Sequence, residues 1–214
     1  MAQHPYFRPL APEQRQALAQ HARAHTYATD TVIFLEGETA VGMWLLQNGN
    51  VKIYKLNTDG QEQILHLLGP GSSFNDIAAV DGQPNPANAA TLSPVTAWLL
   101  PGTAVRALMR QDIPFALGII DQLTQRVRAL TIQIEALTLY ATTARLAQFL
   151  LQQAENPALA GAGITRKAIA AYLAITPETV SRTLRALQDA GAIRFDRHRI
   201  MIVDAELLHR IGNR

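Results

Sequence analysis

Residues 165–188 read TRKAIAAYLAITPETVSRTLRALQ, two short helical patterns with a break between them. Thr165 is a good N-cap for the first, because its hydroxyl can accept from an orphan N–H of the opening turn. Ile169 and Leu173 then fall four apart on one face, and Ala170 is small where a second helix must approach. The pattern lapses at Ala174-Ile175 and restarts at Thr176-Pro177, an N-cap followed by a proline whose missing N–H had no partner to lose. Val180, Leu184 and Leu187 give the second helix a buried stripe, and Gly191 suits the position just past its end.

The opposite face of that second helix carries Glu178, Ser181 and Arg182, all within its first two turns. Those turns are the part of a recognition helix that meets base edges. Arg pairs bidentately with guanine, Glu accepts from a cytosine amine, and Ser is short enough for close approach. The same spacing also allows an ordinary i,i+4 pair between Glu178 and Arg182 on a solvated face. Downstream, Ile193-Arg194-Phe195 and Ile200-Met201-Ile202-Val203 flank the polar loop Asp196-Arg197-His198-Arg199, which predicts a β-hairpin wing behind the recognition helix.

The whole unit, ITRKAIAAYLAITPETVSRTLRALQDAGAIRFDRHRIMIVD, resembles the DNA-binding domain of the cAMP receptor protein and fumarate-nitrate reduction regulator (CRP/FNR) superfamily. The resemblance implies that Thr165, Arg166, Lys167, Thr176, Glu178, Thr179, Ser181, Arg182 and Arg185 contact double-stranded DNA. The Glu-x-x-Ser-Arg arrangement is similar to the fumarate-nitrate reduction branch, which implies a TTGAT-like half-site. Ala174 departs from the glycine that many helix-turn-helix units place in the turn.

A chain of 214 residues, about half apolar and with both charge signs, describes one large or two modest globular domains. No apolar run reaches the ~18–20 residues of a membrane span. The N-terminus MAQHPYFRPLAPEQ lacks a secretory layout, so the expected location is the cytoplasm, with no membrane partner. The absence of cysteine excludes disulfides, a Cys-ligated iron–sulfur cluster, a thiol switch and any Cys-based zinc site. Net charge is +2, but residues 141–214 hold ten Arg and Lys against six Asp and Glu, so +4 lies there and −2 in the remainder. A basic C-terminal third suits a nucleic-acid-binding module attached to something else.

Residues 1–29 read as partly helical from Ala11-Pro12-Glu13, with Leu18, Ala19 and Ala22 as a modest buried face. His21 and His25 fall i,i+4 there, without a third ligand, and read as exposed helix histidines rather than a metal site. From Thr31 to Leu100 the signal is β. Strands are predicted at Thr31–Leu35, Met43–Leu46, Val51–Lys55, Gln63–Leu68, Ala89–Leu92 and Thr96–Leu100, with hairpin signals at Asn48-Gly49 and Asp59-Gly60. Many short strands with glycine turns predict a sandwich or jelly roll.

This region resembles the cyclic-nucleotide-binding β-roll of the same superfamily, most specifically over VKIYKLNTDGQEQILHLLGPGSSF, and is similar to regulators of dissimilatory nitrate respiration. The fold expected is therefore α+β: an N-terminal roll, a long helix and a C-terminal winged helix-turn-helix. The nucleotide-binding pattern itself is broken. Phe74-Asn75-Asp76-Ile77 stands where the family has Gly-Glu, Asn85-Pro86-Ala87 where it has Arg-Ser/Thr-Ala, and no Arg or Lys occurs between Lys55 and Arg106. A buried cyclic phosphate without a cationic partner is expensive, so tight binding of cAMP or cGMP is not expected. The resemblance places an effector, a small molecule or gas, among Leu65, His66, Asn75, Asp76, Ile77, Asn85, Ala87, Leu130 and Thr131. The nitrate-respiration likeness suggests a haem with His66 as axial ligand, His66 reading as on one strand face with Ile64 and Leu68. No metal site and no catalytic constellation stands out, so an enzyme is not expected.

After Gly118 the chain runs without glycine or proline to Tyr140. Ile120, Leu123, Val127, Leu130, Ile134, Leu137 and Ala141 follow alternate three-four spacing over about three heptads, the seam of a coiled coil. With the resemblance, this predicts a homodimer. The expected division is 1–114 effector-sensing roll, 115–140 dimerisation helix and 141–214 DNA-binding domain, with Thr142–Gln153 helical and residues 156–163 a linker. The function expected is an effector-responsive, sequence-specific transcription regulator whose further partner is RNA polymerase. Left open are a constitutive regulator with a collapsed pocket, a cyclic-nucleotide-responsive regulator with an atypical site, and a small-molecule-binding module with weak, non-specific DNA contacts.

Overall fold

The computed structural model describes residues 4–7, 10–156, 164–196 and 200–213. Most of the linker, the wing tip Arg197–Arg199 and the side chains of Leu137 and Leu139 lie outside the described residues. A single 3₁₀ turn, Pro5–Phe7, precedes α1 (Pro12–His21). The roll follows as two four-stranded antiparallel sheets. One has the order β1 (Arg23–Tyr27), β8 (Val95–Pro101), β3 (Gly42–Asn48), β6 (Ser73–Phe74), and the other β2 (Val32–Phe34), β7 (Asn88–Thr91), β4 (Val51–Leu56), β5 (Glu62–Leu68). Two short helices, α2 (Asp76–Asp81) and α3 (Gly102–Gln111), lead to the long α4 (Ile113–Leu139), about 40 Å of helix at 1.5 Å per residue. The C-terminal unit is α5 (Thr142–Glu155), α6 (Arg166–Tyr172), α7 (Pro177–Asp189), the paired strands β9 (Ile193–Phe195) and β10 (Ile200–Ile202), and α8 (Ala205–Gly212). The architecture is α+β, a roll, a long helix and a winged helix-turn-helix.

Three local readings are corrected. The segment around His25 is a strand paired to β8, not a helix, so His21 and His25 do not share a helical face. His25 is half-buried, its ring 5.1 Å from that of Trp44. Asn48-Gly49 is not a hairpin, because β3 and β4 belong to different sheets. It is the corner where the chain changes sheet. Gly49 has φ +83, and a Cβ there would sit 2.2 Å from the Pro94 carbonyl oxygen, so only glycine fits. Asp59-Gly60 does close a hairpin, between β4 and β5. Finally, β5 carries a bulge at Leu65, since Ile53 opposes His66 while Tyr54 opposes Ile64. The extra residue reverses the pleat. Ile64 and Leu67 therefore share a cluster with Tyr54, and Leu68 joins the roll interior with Ile53. His66 sits opposite Ile53, so it shares a side with Leu68 and not with Ile64.

Three clusters hold the chain together. Phe34, Trp44, Leu46, Val51 and Phe74 fill the roll, with the Trp44 and Phe74 rings stacked at 6.0 Å. Tyr6, Phe7, Leu10 and Leu18 pack with Phe115 and Ile119, binding the N-terminal segment to α4. The third is the core of the C-terminal unit, Leu146, Phe149, Ile169, Leu173, Val180, Leu184 and Leu187, and Tyr54, Ile64 and Leu67 of the roll join it. Gln63 Nε2 adds a hydrogen bond to the Tyr172 carbonyl at 3.3 Å.

The turn between α6 and α7 is closed by the Ile175 N–H donating to the Ala170 carbonyl at 3.0 Å, which forces Ala174 to φ +54. A left-handed non-glycine residue is strained by about 1–2 kcal/mol. Ala174→Gly is therefore expected to raise stability by about 1 kcal/mol, after the greater chain entropy of glycine is set against the relieved strain. Urea denaturation with an unchanged slope checks this.

Candidate nucleic-acid interface and effector site

The caps read from sequence are present. Thr165 Oγ1 accepts from the Ala168 N–H and Thr176 Oγ1 from the Thr179 N–H, each at 3.2 Å. Val180, Thr183, Leu184 and Leu187 are buried, which turns the opposite face of α7 outward. Glu178, Arg182 and Arg185 are exposed there, with Ser181 and Thr179 half-buried beside them; Thr165, Arg166, Lys167 and Thr176 are exposed at the starts of α6 and α7. All nine residues expected at DNA thus lie on accessible surface.

Glu178 does not pair with Arg182 among the described ion pairs. Its own backbone N–H, and then the Thr176 hydroxyl, hold its carboxyl below the usual range, so it stays ionised as an acceptor at the helix start. Arg182 is exposed to solvent. Ser181 Oγ donates to the Pro177 carbonyl at 3.0 Å, leaving its lone pairs available. Arg166 is engaged with the wing: its guanidinium lies 5.4 Å from the Phe195 ring centroid and Nη2 donates to the Asp196 carbonyl at 3.4 Å. Arg145, which local spacing gave no reason to single out, donates from Nη1 to the Leu173 carbonyl at 3.0 Å and closes the end of α6.

The expected effector residues divide. Asn75 begins α2 in the left-handed region at φ 61 and donates from Nδ2 to the Gly42 carbonyl at 3.1 Å and to Asn85 Oδ1 at 2.9 Å. Asn85 in turn donates to the Leu35 carbonyl at 3.1 Å. The two residues standing for the family's glycine and arginine are therefore buried and bonded to each other, with Ala87 buried nearby in sequence. Arg106, the next cation along the chain, is turned onto the Ala79 carbonyl at 2.7 Å. Asp76 is 1% exposed. Its Oδ2 accepts from the Tyr6 hydroxyl and from Ser73 Oγ at 3.0 Å, and pairs with Arg126 Nη1 at 3.3 Å. His66 shares this environment: burial first, then the Arg126 charge, push its imidazole down to about 4, with Asp76 opposing. His4 is also lowered to about 4, chiefly by burial.

Other expected members lie elsewhere. Ile77 is exposed, and so is Thr131, whose hydroxyl donates to the Val127 carbonyl at 3.0 Å; Leu65 and Leu130 are half-buried. His66 has the neutral imidazole an iron ligand needs, on the side of β5 that carries Leu68, with the charges of Arg126 and Asp76 acting on it. Sequence reading missed Tyr6, Ser73 and above all Arg126: the cation absent from the roll arrives from the long helix, where it looked like one more polar helix residue.

The fold and these two sites define a class, a DNA-binding regulator built from a ligand-type β-roll and a winged helix-turn-helix. The family description for a cyclic nucleotide-binding domain matches residues 24–112, and that for a Crp-like helix-turn-helix domain matches residues 144–211. The cyclic AMP receptor protein of Thermus thermophilus is 27% identical over 208 residues, 97% of this chain and 96% of its own. Among solved structures, FixK2 from Bradyrhizobium japonicum superposes with a TM-score of 0.81 at 26% identity, covering 89% of this chain and 96% of that one. DNR from Pseudomonas aeruginosa gives 0.53 at 29% identity, covering 98% and 95%. The chain belongs to the CRP/FNR superfamily of DNA-binding transcription regulators.

Two outcomes follow from this geometry. Arg182→Ala is expected to weaken binding to a cognate duplex by about 1–3 kcal/mol and to relax preference at one base pair. Arg185→Ala is expected to weaken cognate and scrambled duplexes alike and to flatten the salt dependence; competition binding at several salt concentrations separates the two. His4 and His66 bind protons less readily folded than unfolded, so stability is full above about pH 6.5 and falls as pH drops towards 4. In His66→Gln that decline is expected to be shallower, as measured by denaturation midpoints across the same range.

Proposed function

We propose that this chain works as a homodimeric, sequence-specific transcription regulator whose roll (residues 1–114) senses an effector, whose helix (115–140) joins protomers, and whose C-terminal unit (141–214) reads a near-palindromic operator with TTGAT-like half-sites. The observation that carries the reading is a pair of exposed faces. One is the exposed polar face of α7. The other is an apolar stripe along α4, where Ile113, Leu117, Ile120, Val127 and Ile134 are between 52% and 71% exposed. Large apolar residues in a row on one helix mark an association surface, and their three-four spacing suits a second copy of the same helix.

Details of the stripe support a modified seam. Leu123 packs against the cluster that holds the N-terminal segment, so it serves the chain itself. The helix ends at Leu139, and Ala141 is the extended N-cap of α5, so it does not continue the seam. Ile113 and Leu117 extend the stripe in the other direction. Two half-sites about one turn apart, ~34 Å, make operator docking sensitive to small rotations of paired helices. The output would run through RNA polymerase, the partner the family resemblance implies.

The effector is not a cyclic nucleotide in this reading, because Asn75 and Asn85 bond each other where a phosphate would need a cation. The same buried bond favours, as a second reading, a constitutive regulator with a closed pocket. Val127→Glu tests the dimer directly, since it sets like charges against each other mid-seam without touching the chain's own core. The expected result is half the native mass by light scattering together with loss of operator binding. An unchanged mass would show that the stripe has another use. Adding cAMP should leave operator affinity unchanged in the wild type, and a shift would contradict the proposed ligand class.

A further inference from the structure

Asp76 is the most enclosed charge at the joint of roll and helix, at 1% exposure. Its three donors come from three parts of the chain: Ser73 from the roll, Arg126 from α4, and Tyr6 from the 3₁₀ turn ahead of α1. Arg126 also ties the helix to the roll by donating from Nη2 to the Ser73 carbonyl at 3.3 Å. All three act on Oδ2. Oδ1 is buried and has no hydrogen-bond partner among the described residues. A carboxylate is acceptor-only with room for about four donors, so this one has capacity for another.

Of the three donors, Tyr6 differs in attachment. Ser73 and Arg126 are fixed by a sheet and a long helix, whereas Tyr6 is borne on a three-residue turn. That turn is held by packing: Phe7 stacks on Phe115 at 6.2 Å, and the Tyr6 N–H donates to His4 Nδ1 at 3.3 Å. Tyr6, 1% exposed, belongs to one cluster with Phe7, Phe115 and Ile119 and has the His4 ring 4.9 Å from its own, so its ring is walled in while its hydroxyl reaches the Asp76 carboxylate.

The charges around the carboxylate select what else fits there. An anion meets Asp76 itself and finds Arg126 already paired with that carboxylate, while Asn75 and Asn85 bring no charge. A cation meets Arg126, which already balances the carboxylate. What remains is a neutral hydrogen-bond donor on an apolar body, which is the chemistry of the tyrosine side chain.

We propose that Tyr6 is a resident occupant of the effector site, and that the effector is an uncharged, phenol-like hydroxyl compound that replaces Tyr6 on the Asp76 carboxylate. The inference rests on the effector-responsive reading above and supplies its ligand class. Displacement frees the turn Pro5–Phe7 from α4, while the ring of the effector takes the place of the Tyr6 ring beside Phe115 and Ile119. The effector shifts the population only by its advantage over Tyr6 at the same atom, so loosening Tyr6 lowers the effector concentration required.

Chemical complementation tests this on the full-length protein. Tyr6→Ala opens the site, with p-cresol (4-methylphenol) as the probe and toluene as the probe lacking a hydroxyl. Hydrogen exchange of amides 115–126 is read separately from operator affinity. Tyr6→Ala is expected to speed that exchange roughly tenfold. p-Cresol is expected to restore the wild-type rate at concentrations about tenfold below toluene, reflecting the hydrogen bond. Tyr6→Phe keeps the ring and the packing, and is expected to accelerate the same amides to a lesser extent. Equal rescue by toluene, or unchanged exchange in both variants, overturns the proposal. Absence of any sequence-specific DNA binding counts against the regulator reading alone, because exchange and rescue still decide whether Tyr6 occupies a donor site.

Discussion

A carboxylate taken out of water must be matched by charge and hydrogen bonds or it destabilises everything around it, and Asp76 imposes that demand on this fold. Removing one partner from a buried ion pair typically costs about 3–5 kcal/mol, because the other charge stays behind. Arg126 therefore cannot drift, and with it the register of α4 against the roll is set. Ser73 and Tyr6 add neutral donors on the same oxygen, which brings the N-terminal turn into the arrangement. One side chain thus fixes the relative placement of roll, helix and N-terminal segment.

The helix passes that constraint outward. Its inner side, at Phe115, Ile119 and Leu123, is committed to the cluster shared with Tyr6 and Phe7, and its outer side carries the exposed apolar stripe. A change at the Asp76 end alters what covers the helix on the side away from the seam. Strand β5 offers a second route. The bulge at Leu65 turns His66 to the roll side of the strand with Leu68 while Ile64 and Leu67 face the C-terminal core, so one edge strand touches both the roll interior and the DNA-binding unit. Through Ile64 and Leu67, β5 packs directly on the C-terminal core, the physical form that coupling between two sites requires.

Much of this was legible in the sequence where local chemistry decides structure. The caps at Thr165 and Thr176, the stripe Val180–Leu184–Leu187 and the outward face of Glu178, Ser181 and Arg182 follow from helix periodicity and short-range hydrogen bonding alone. The Asp59-Gly60 hairpin is equally local. Reading failed where distant parts of the chain decide. Asn48-Gly49 has the composition of a hairpin turn, yet the strands it joins pair with β8 and β7, which are distant in sequence, and not with each other. A bulge has no signature in alternation, so His66 was assigned to the face of Ile64. The replacement of Gly and Arg by Asn75 and Asn85 was visible as a loss of cation, but not as a hydrogen bond between the two. Arg126, Tyr6 and Ser73 had no spacing relation to Asp76 that a sequence could display.

Sequence-specific regulation by a homodimer requires two recognition helices to read two half-sites at once. Selection of bound duplexes from a random pool by the full-length protein, at near-physiological salt, measures this most directly. The account predicts an enriched near-palindrome with TTGAT-like halves about one helical turn, ~34 Å, apart, degenerate between them. Enrichment of a lone half-site, or of no sequence over the input pool, would contradict it.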